Sequence, residues 1–168
     1  MAEMTETTPR NRLEMTTRLA RISDLDRLIE IEQACFSSDR LSRRSFVRQI
    51  GNDRSAVLVA ETGGAIAGYA MVLFRCTSAI ARLYSLAVDP AYRGRSVGRF
   101  LVSEAERAAA SRGAERLRLE ARLGNKRARS LYVSAGFQEI RDLPQYYADG
   151  GDGIRFEKVL TNRRAKAQ

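Results

Sequence analysis

Leu83-Tyr84-Ser85-Leu86-Ala87-Val88-Asp89-Pro90-Ala91-Tyr92-Arg93-Gly94-Arg95-Ser96-Val97-Gly98 reads as a strand, a loop and the opening of a helix. The apolar run is stopped by Asp89-Pro90, and Arg93 to Arg99 brings two glycines and three arginines. Apolar residues then recur at Val97, Leu101, Ala105 and Ala108, one stripe of a helix that Gly113 stops. Backbone N–H groups at such a helix start converge on one place, and the helix dipole favours negative charge there. The loop is thus a candidate pyrophosphate site, with a plain connection as the alternative reading. It has neither the Gly-Lys-Ser/Thr end of a P-loop nor the GxGxxG of a dinucleotide fold.

Outward from this segment, strand and helix signals alternate. Toward the N-terminus, Ile80 to Val88 completes the strand, and Ser55–Glu61 and Ala65–Arg75 form a hairpin about Thr62-Gly63-Gly64. Arg18–Ile22 reads as a strand. Ser23 is placed as the cap of a helix carrying Leu25, Leu28, Ile31 and Cys35, and Ser42 caps a short helix with Phe46, Val47 and Ile50 on its apolar side. Toward the C-terminus, Arg116–Glu120 is a strand, Lys126–Ala135 a helix, and Phe137–Arg141 and Ile154–Leu160 the last strands. The order β-α-α-β-β-β-α-β-α-β-β predicts an α/β fold: a mixed, mostly antiparallel sheet of seven strands with helices on both faces. Residues 1–16 are expected to be disordered, 17–161 to form one domain, and 162–168 to be a basic tail.

Composition narrows the chemistry. The 168 residues suffice for one domain; 44% are hydrophobic and 29% charged. No run spans a membrane and no apolar signal centre is present, so a cytoplasmic protein is expected. There is no histidine, and the two cysteines, Cys35 and Cys76, form no CxxC pair. Histidine-based nucleophile pairs and a zinc ligand set are therefore excluded, and no metal is expected. An enzyme with this composition works with carboxylates, tyrosines and backbone dipoles. The net charge of +9 suits an anionic cosubstrate or a nucleic-acid or ribosome surface. A binding module of the second kind would prefer exposed aromatics among its basic residues, and aromatics are only 7%.

The loop resembles that of the GNAT acetyltransferase superfamily, Arg/Gln-x-x-Gly-x-Gly/Ala, through Arg93 and Gly98, with Ser96 where the family has glycine. The resemblance runs from about Arg18 to Leu160. Leu119-Glu120-Ala121-Arg122-Leu123-Gly124-Asn125, then Ala128, Leu131, Tyr132 and Gly136-Phe137, is similar to the Leu-Glu-Val-Arg-x-x-Asn…Ala…Leu-Tyr…Gly-Phe stretch of the protein N-terminal alanine acetyltransferases. It implies a V-shaped gap between two central parallel strands, holding acetyl-CoA. By the same resemblance Arg93, Gly94, Arg95, Ser96, Val97 and Gly98 hold the pyrophosphate, and backbone near Leu86, Ala87 and Val88 holds the thioester. Asn125 and Ser130 bond the acetyl and pantetheine region.

An amine must be neutral to attack a thioester, and the departing thiolate needs a proton. Glu120 is the candidate base and Tyr132 the candidate acid. Their alternatives are an ion pair with Arg118 or Arg122 and an ordinary packed tyrosine. Tyr84, placed on the face of Leu86 by regular alternation, lines the amine pocket, and Arg82 meets an acidic substrate group. Tyr146-Tyr147-Ala148-Asp149-Gly150-Gly151-Asp152-Gly153 looks like the Tyr-Tyr-Ala-Asp-Gly-Glu-Asp-Ala loop of that family, whose tyrosines hold a peptide backbone. Phe36 begins the opposite wall. The expected acceptor is a protein N-terminal α-amine, with a lysine side chain or small amine as the alternative. The protein is expected as a monomer or weak homodimer.

Overall fold

The structure, a computed structural model, describes residues 14–161. The readings of residues 1–13 and of the tail 162–168 lie outside the described residues. The sheet order is β1-β2-β3-β4-β5-β7-β6. The strands are β1 (Met15–Leu19), β2 (Ser55–Thr62), β3 (Ala65–Leu73), β4 (Ile80–Val88), β5 (Arg116–Arg122), β6 (Gln138–Leu143) and β7 (Gly153–Val159). The helices are α1 (Leu25–Cys35), α2 (Arg43–Gln49), α3 (Val97–Ser111) and α4 (Lys126–Ser134). Every strand pair is antiparallel except β4 with β5. Among the described residues, no helix is long and apolar enough to cross a membrane.

Two apolar layers sandwich the sheet. On one face Leu28, Ile31 and Phe46 from α1 and α2 pack on Val57, Val59, Tyr69 and Met71. On the other, Leu101, Val102 and Ala105 of α3 and Tyr132 of α4 pack on Ala70, Val72, Leu83, Leu117, Leu119 and Phe156. Each large aliphatic side chain buried here contributes about 1.5–3 kcal/mol. The α3 stripe turns slightly from its expected line, since Ala109, not Ala108, is the buried member of its last turn.

The N-terminal elements differ from expectation in register. β1 begins at Met15, so Met15 and Thr16 are ordered strand residues, not part of a disordered leader, and it ends at Leu19. Ser23 does not cap α1. Asp24 organises the entrance instead, accepting from the Arg21 N–H at 2.7 Å and pairing with Arg18 at 2.7 Å. Ser42 does cap α2, accepting from the Ser45 N–H at 3.1 Å. Val47, expected in the core, is exposed because this short helix buries only Phe46.

The feature that makes the site lies in the middle of the sheet. β4 and β5 pair only at Ile80↔Arg116, Ala81↔Leu117 and Arg82↔Arg118. Two residues beyond that last pair, β4 carries a bulge: Val72 faces Leu83 and Met71 faces Ser85, leaving Tyr84 without a counterpart. A bulge bends and twists the strand that carries it. From there β4 and β5 no longer pair with each other, Leu83 to Val88 on one side and Leu119 to Arg122 on the other, and the V-shaped gap opens between them.

Candidate active site

A cavity of about 410 Å³ sits where the strands part. Arg82 to Leu86 of β4 and Glu120 to Arg122 of β5 form its floor. Phe36 and Leu41 of the α1–α2 loop form one wall, Asn125, Ala128 and Tyr132 another, and Tyr146 and Tyr147 of the β6–β7 loop a third.

Glu120 is central and nearly enclosed, its side chain 8% exposed. One oxygen accepts from Arg82 Nε at 2.9 Å and the other from Arg155 Nε at 3.1 Å. Arg155 is the directly opposite residue on β7, so sheet register supplies this partner. Neither Arg118 nor Arg122, the partners weighed from sequence, pairs with Glu120; Arg118 pairs with Glu157 instead. Arg82, expected from sequence to meet an acidic substrate group, is instead engaged by Glu120. Its guanidinium also donates to Tyr146 Oη at 3.0 Å and lies over the Tyr84 ring.

Tyr132 is buried, its ring against Phe137 and Phe156 with both centroids at 5.9 Å. Its hydroxyl has no hydrogen-bond partner among the described residues, and the side chain lines the cavity. Burial pushes the phenol well above its ordinary pKa, so it holds its proton. Asn125 lines the cavity and uses its side-chain oxygen to cap α4, accepting from the Ala128 N–H at 3.1 Å. Ser130 is not brought to the cavity. It lies on the exposed outer side of α4.

The bulge overturns the assumed alternation along β4. Leu83 packs on the α3 face, whereas Ser85 turns to the α1 face, where it bonds to Tyr69. Leu86 and Val88 then pack on the α3 face and Ala87 on the α1 face. Tyr84 is the extra residue and stands exposed at the cavity, so it does not share a regular strand face with Leu86.

Beyond β4, Asp89 caps a 3-10 turn at Pro90–Tyr92 by accepting from the Ala91 N–H at 2.8 Å. Gly94 has φ +76° and Ser96 φ +63°, and α3 starts directly after. Arg93, Arg95 and the first-turn N–H groups of α3 surround this loop; Arg95 lies over Tyr92. Arg99 is not part of it, because it donates to Ser134 Oγ and O, each at 3.3 Å. A side chain at Gly98 would begin 3.3 Å from Leu131 Cδ2, so glycine lets α3 approach α4 closely.

The two loops over the cavity are tied together. Arg122 pairs with Asp39 of the α1–α2 loop at 2.6 Å and with Asp149 of the β6–β7 loop at 3.0 Å. Its guanidinium lies 4.1 Å from the centre of the Tyr147 ring, and Tyr147 meets Tyr146 edge-on at 5.1 Å. The β6–β7 loop is internally bonded, with Tyr147 N donating to Gly151 O and Gly150 N to Tyr147 O, so it is a built turn rather than a slack one. Sequence reading missed Arg155, this role of Arg122, and the group formed by buried Glu32 and Tyr69 with half-buried Ser85. Only the register of β7 opposite Glu120 would have indicated the first.

A split mixed sheet with a Gly- and Arg-containing loop at a helix start on one side and a carboxylate, a buried phenol and paired tyrosines on the other suits an acyl-transferring enzyme. The acetyltransferase (GNAT) family model matches residues 25–137, and the chain belongs to that family as an N-acetyltransferase. It is 33% identical over 132 residues to the N-alpha-acetyltransferase RimI of Mycobacterium tuberculosis, covering 77% of this chain and 82% of that protein. It is 36% identical over 134 residues to an uncharacterized Mycobacterium leprae protein, covering 77% of this chain but only 36% of that longer one. The ribosomal-protein-S18-alanine N-acetyltransferase structure from Escherichia coli matches with a TM-score of 0.78 at 28% identity, over 88% of this chain and 95% of that one.

Proposed function

We propose that this enzyme acetylates the N-terminal α-amine of a protein, with acetyl-CoA as donor and a ribosomal protein as the acceptor class. The observation that carries the reading is the paired Tyr146 and Tyr147 set over the cavity, with Tyr146 joined through Arg82 to Glu120. Tyrosines placed so close to the candidate base suit an acceptor whose backbone lies near the reacting nitrogen. The kinship with N-alpha-acetyltransferases supports the same reading. A cytoplasmic location follows from such an acceptor.

The residues present fit the donor. Gly94 and Ser96 turn the loop so that the first-turn N–H groups of α3 face outward beside Arg93 and Arg95, a cradle for a pyrophosphate. The β4 edge from Leu86 to Val88, unpaired on its β5 side, offers backbone groups to a thioester carbonyl. When bound, acetyl-CoA supplies the activated acetyl group. Glu120 takes the amine proton, directly or through water, and its two arginines fix its position. Tyr132 gives its proton to the departing sulfur, and Asn125 orients the donor at the cavity mouth.

Phenylalanine at 146 and 147 tests the acceptor. The double change should raise the Michaelis constant for a free-N-terminal peptide and leave that for a small amine nearly unchanged. Equal effects on both would contradict backbone recognition.

A further inference from the structure

Glu32 has no part in the reaction derived above, yet it is a carboxylate only 2% exposed on the cavity wall. One oxygen accepts from the Leu41 N–H at 2.7 Å and the other is bonded to the Tyr69 hydroxyl. Tyr69 is fully buried, and its hydroxyl lies 2.8 Å from Ser85 Oγ. Ser85 reaches this position because the bulge at Tyr84 turns it to the α1 face, and it lines the same cavity as Glu120.

The direction of these bonds follows from their donors. An ionised carboxylate only accepts, so Tyr69 must donate to Glu32. The phenol proton is then committed, and in the Tyr69–Ser85 pair serine must be the donor. Ser85 Oγ consequently presents lone pairs to the cavity. Burial raises the Glu32 pKa above that of an ordinary carboxylate, against the opposing effects of Tyr69 and the Leu41 N–H. The charged or titratable groups around it are Arg40 on the following loop, Cys35 on its own helix and Tyr69 on β3.

We propose that Ser85 accepts the proton of the incoming ammonium group and that Tyr69 relays a proton to Glu32, giving the site a second proton sink beside Glu120. The step balances. The N–H bond of the ammonium breaks, and Ser85 Oγ gains that proton while passing its own to Tyr69. Tyr69 passes its own in turn to Glu32, which becomes a neutral acid, and the amine keeps the electron pair that attacks. Glu120 leaves room for such a route, since both its oxygens already accept from arginines. Ser85 touches the acceptor; Tyr69 and Glu32 are positioning residues that act through it. The inference rests on the reading that the acceptor is an amine.

The test is the pH profile of kcat/KM for the amine in wild type, Tyr69→Phe, Ser85→Ala and the double variant. The acceptor is the better of a free-N-terminal peptide and an N-blocked lysine peptide, so the choice of acceptor tests the proposed function separately. Without the relay Glu120 is left as the one proton sink, so amine that arrives as ammonium is converted more slowly. Each variant should therefore fall about tenfold or more at low pH. The gap should close near the amine's own pKa, about 8 for an α-amine or about 10.4 for lysine. The double variant should be no worse than either single one, and the Michaelis constant for acetyl-CoA should not move. A loss that is constant with pH, additive losses, or no loss would overturn the relay. Should Tyr69→Phe fail to fold, the half-exposed Ser85→Ala decides by the same profile.

Discussion

Arg82 and Glu120 meet at 2.9 Å across the point where β4 and β5 have just separated. The pair joins the two lips of the gap, and Arg155 holds the same carboxylate from β7. This arrangement fixes Glu120 in place beneath Tyr146. Glu120→Gln keeps its shape and removes its ability to take a proton. Turnover should fall about 100-fold or more in steady-state assays of the folded variant. A variant that melts earlier but turns over at the wild-type rate would reduce Glu120 to a structural ion-pair partner.

Tyr132→Phe removes a hydroxyl that no described residue contacts and leaves the ring packing on Phe137 and Phe156 in place. Stability should stay within about 0.5 kcal/mol of wild type. Turnover should drop about 10- to 100-fold, with the Michaelis constant for acetyl-CoA unchanged. Calorimetry and initial rates check the two halves separately, and unaltered turnover would leave Tyr132 as core packing alone.

Ser96 occupies the left-handed region at φ +63°, where a non-glycine residue costs about 1 kcal/mol. Ser96→Gly relieves that strain but adds about 0.4–1 kcal/mol of chain entropy to the unfolded state. The two nearly cancel, so the melting temperature should hardly change and the Michaelis constant for acetyl-CoA should hold or improve. Ser96→Val, β-branched in the same conformation, should distort the loop and raise that constant. A large loss in the glycine variant would show that the serine hydroxyl itself binds the donor.

A side chain at Gly151 would begin 2.6 Å from Arg122 Nη1. The clash is with the end of a flexible side chain, so Gly151→Ala should fold normally while pushing Arg122 off its aspartates. Exposed ion pairs of this kind are each worth about 0.2–1 kcal/mol. The peptide Michaelis constant should accordingly rise roughly two- to fivefold, with acetyl-CoA binding unaffected. An unchanged peptide constant would show that the bridge between the loops does not shape the acceptor groove.

The β4–loop–α3 segment was legible because a strand, an Asp-Pro stop and a 3.6-residue stripe each leave a strong pattern in sequence. The antiparallel sheet and the order of elements were recovered on the same basis, whereas Glu120 and Tyr132, which line the cavity, were singled out through the family resemblance. The start of β1 was misplaced because Leu19 and Ile22 are apolar yet both 56% exposed, so they imitate a core pattern. The bulge at Tyr84 left no mark, since one extra residue changes neither composition nor mean hydropathy. It nevertheless reverses which of Ser85 and Leu86 faces α1, and so concealed the Glu32 group. Partners such as Arg155 depend on register between strands far apart in the chain. Arg82 and Arg122 were visible as charges, but only the folded loops decide what they bind.

Peptide acetylation with mass-spectrometric mapping of the modified nitrogen addresses the acceptor most directly. The enzyme and acetyl-CoA are incubated with a library of free-N-terminal peptides and with N-blocked peptides that carry a free lysine. The geometry around Tyr146 and Tyr147 predicts acetyl on the α-nitrogen of the free peptides, with the blocked lysine peptides much slower. Faster modification of the blocked lysine peptides would contradict N-terminal acetylation and leave an acetyltransferase with a different amine as its acceptor.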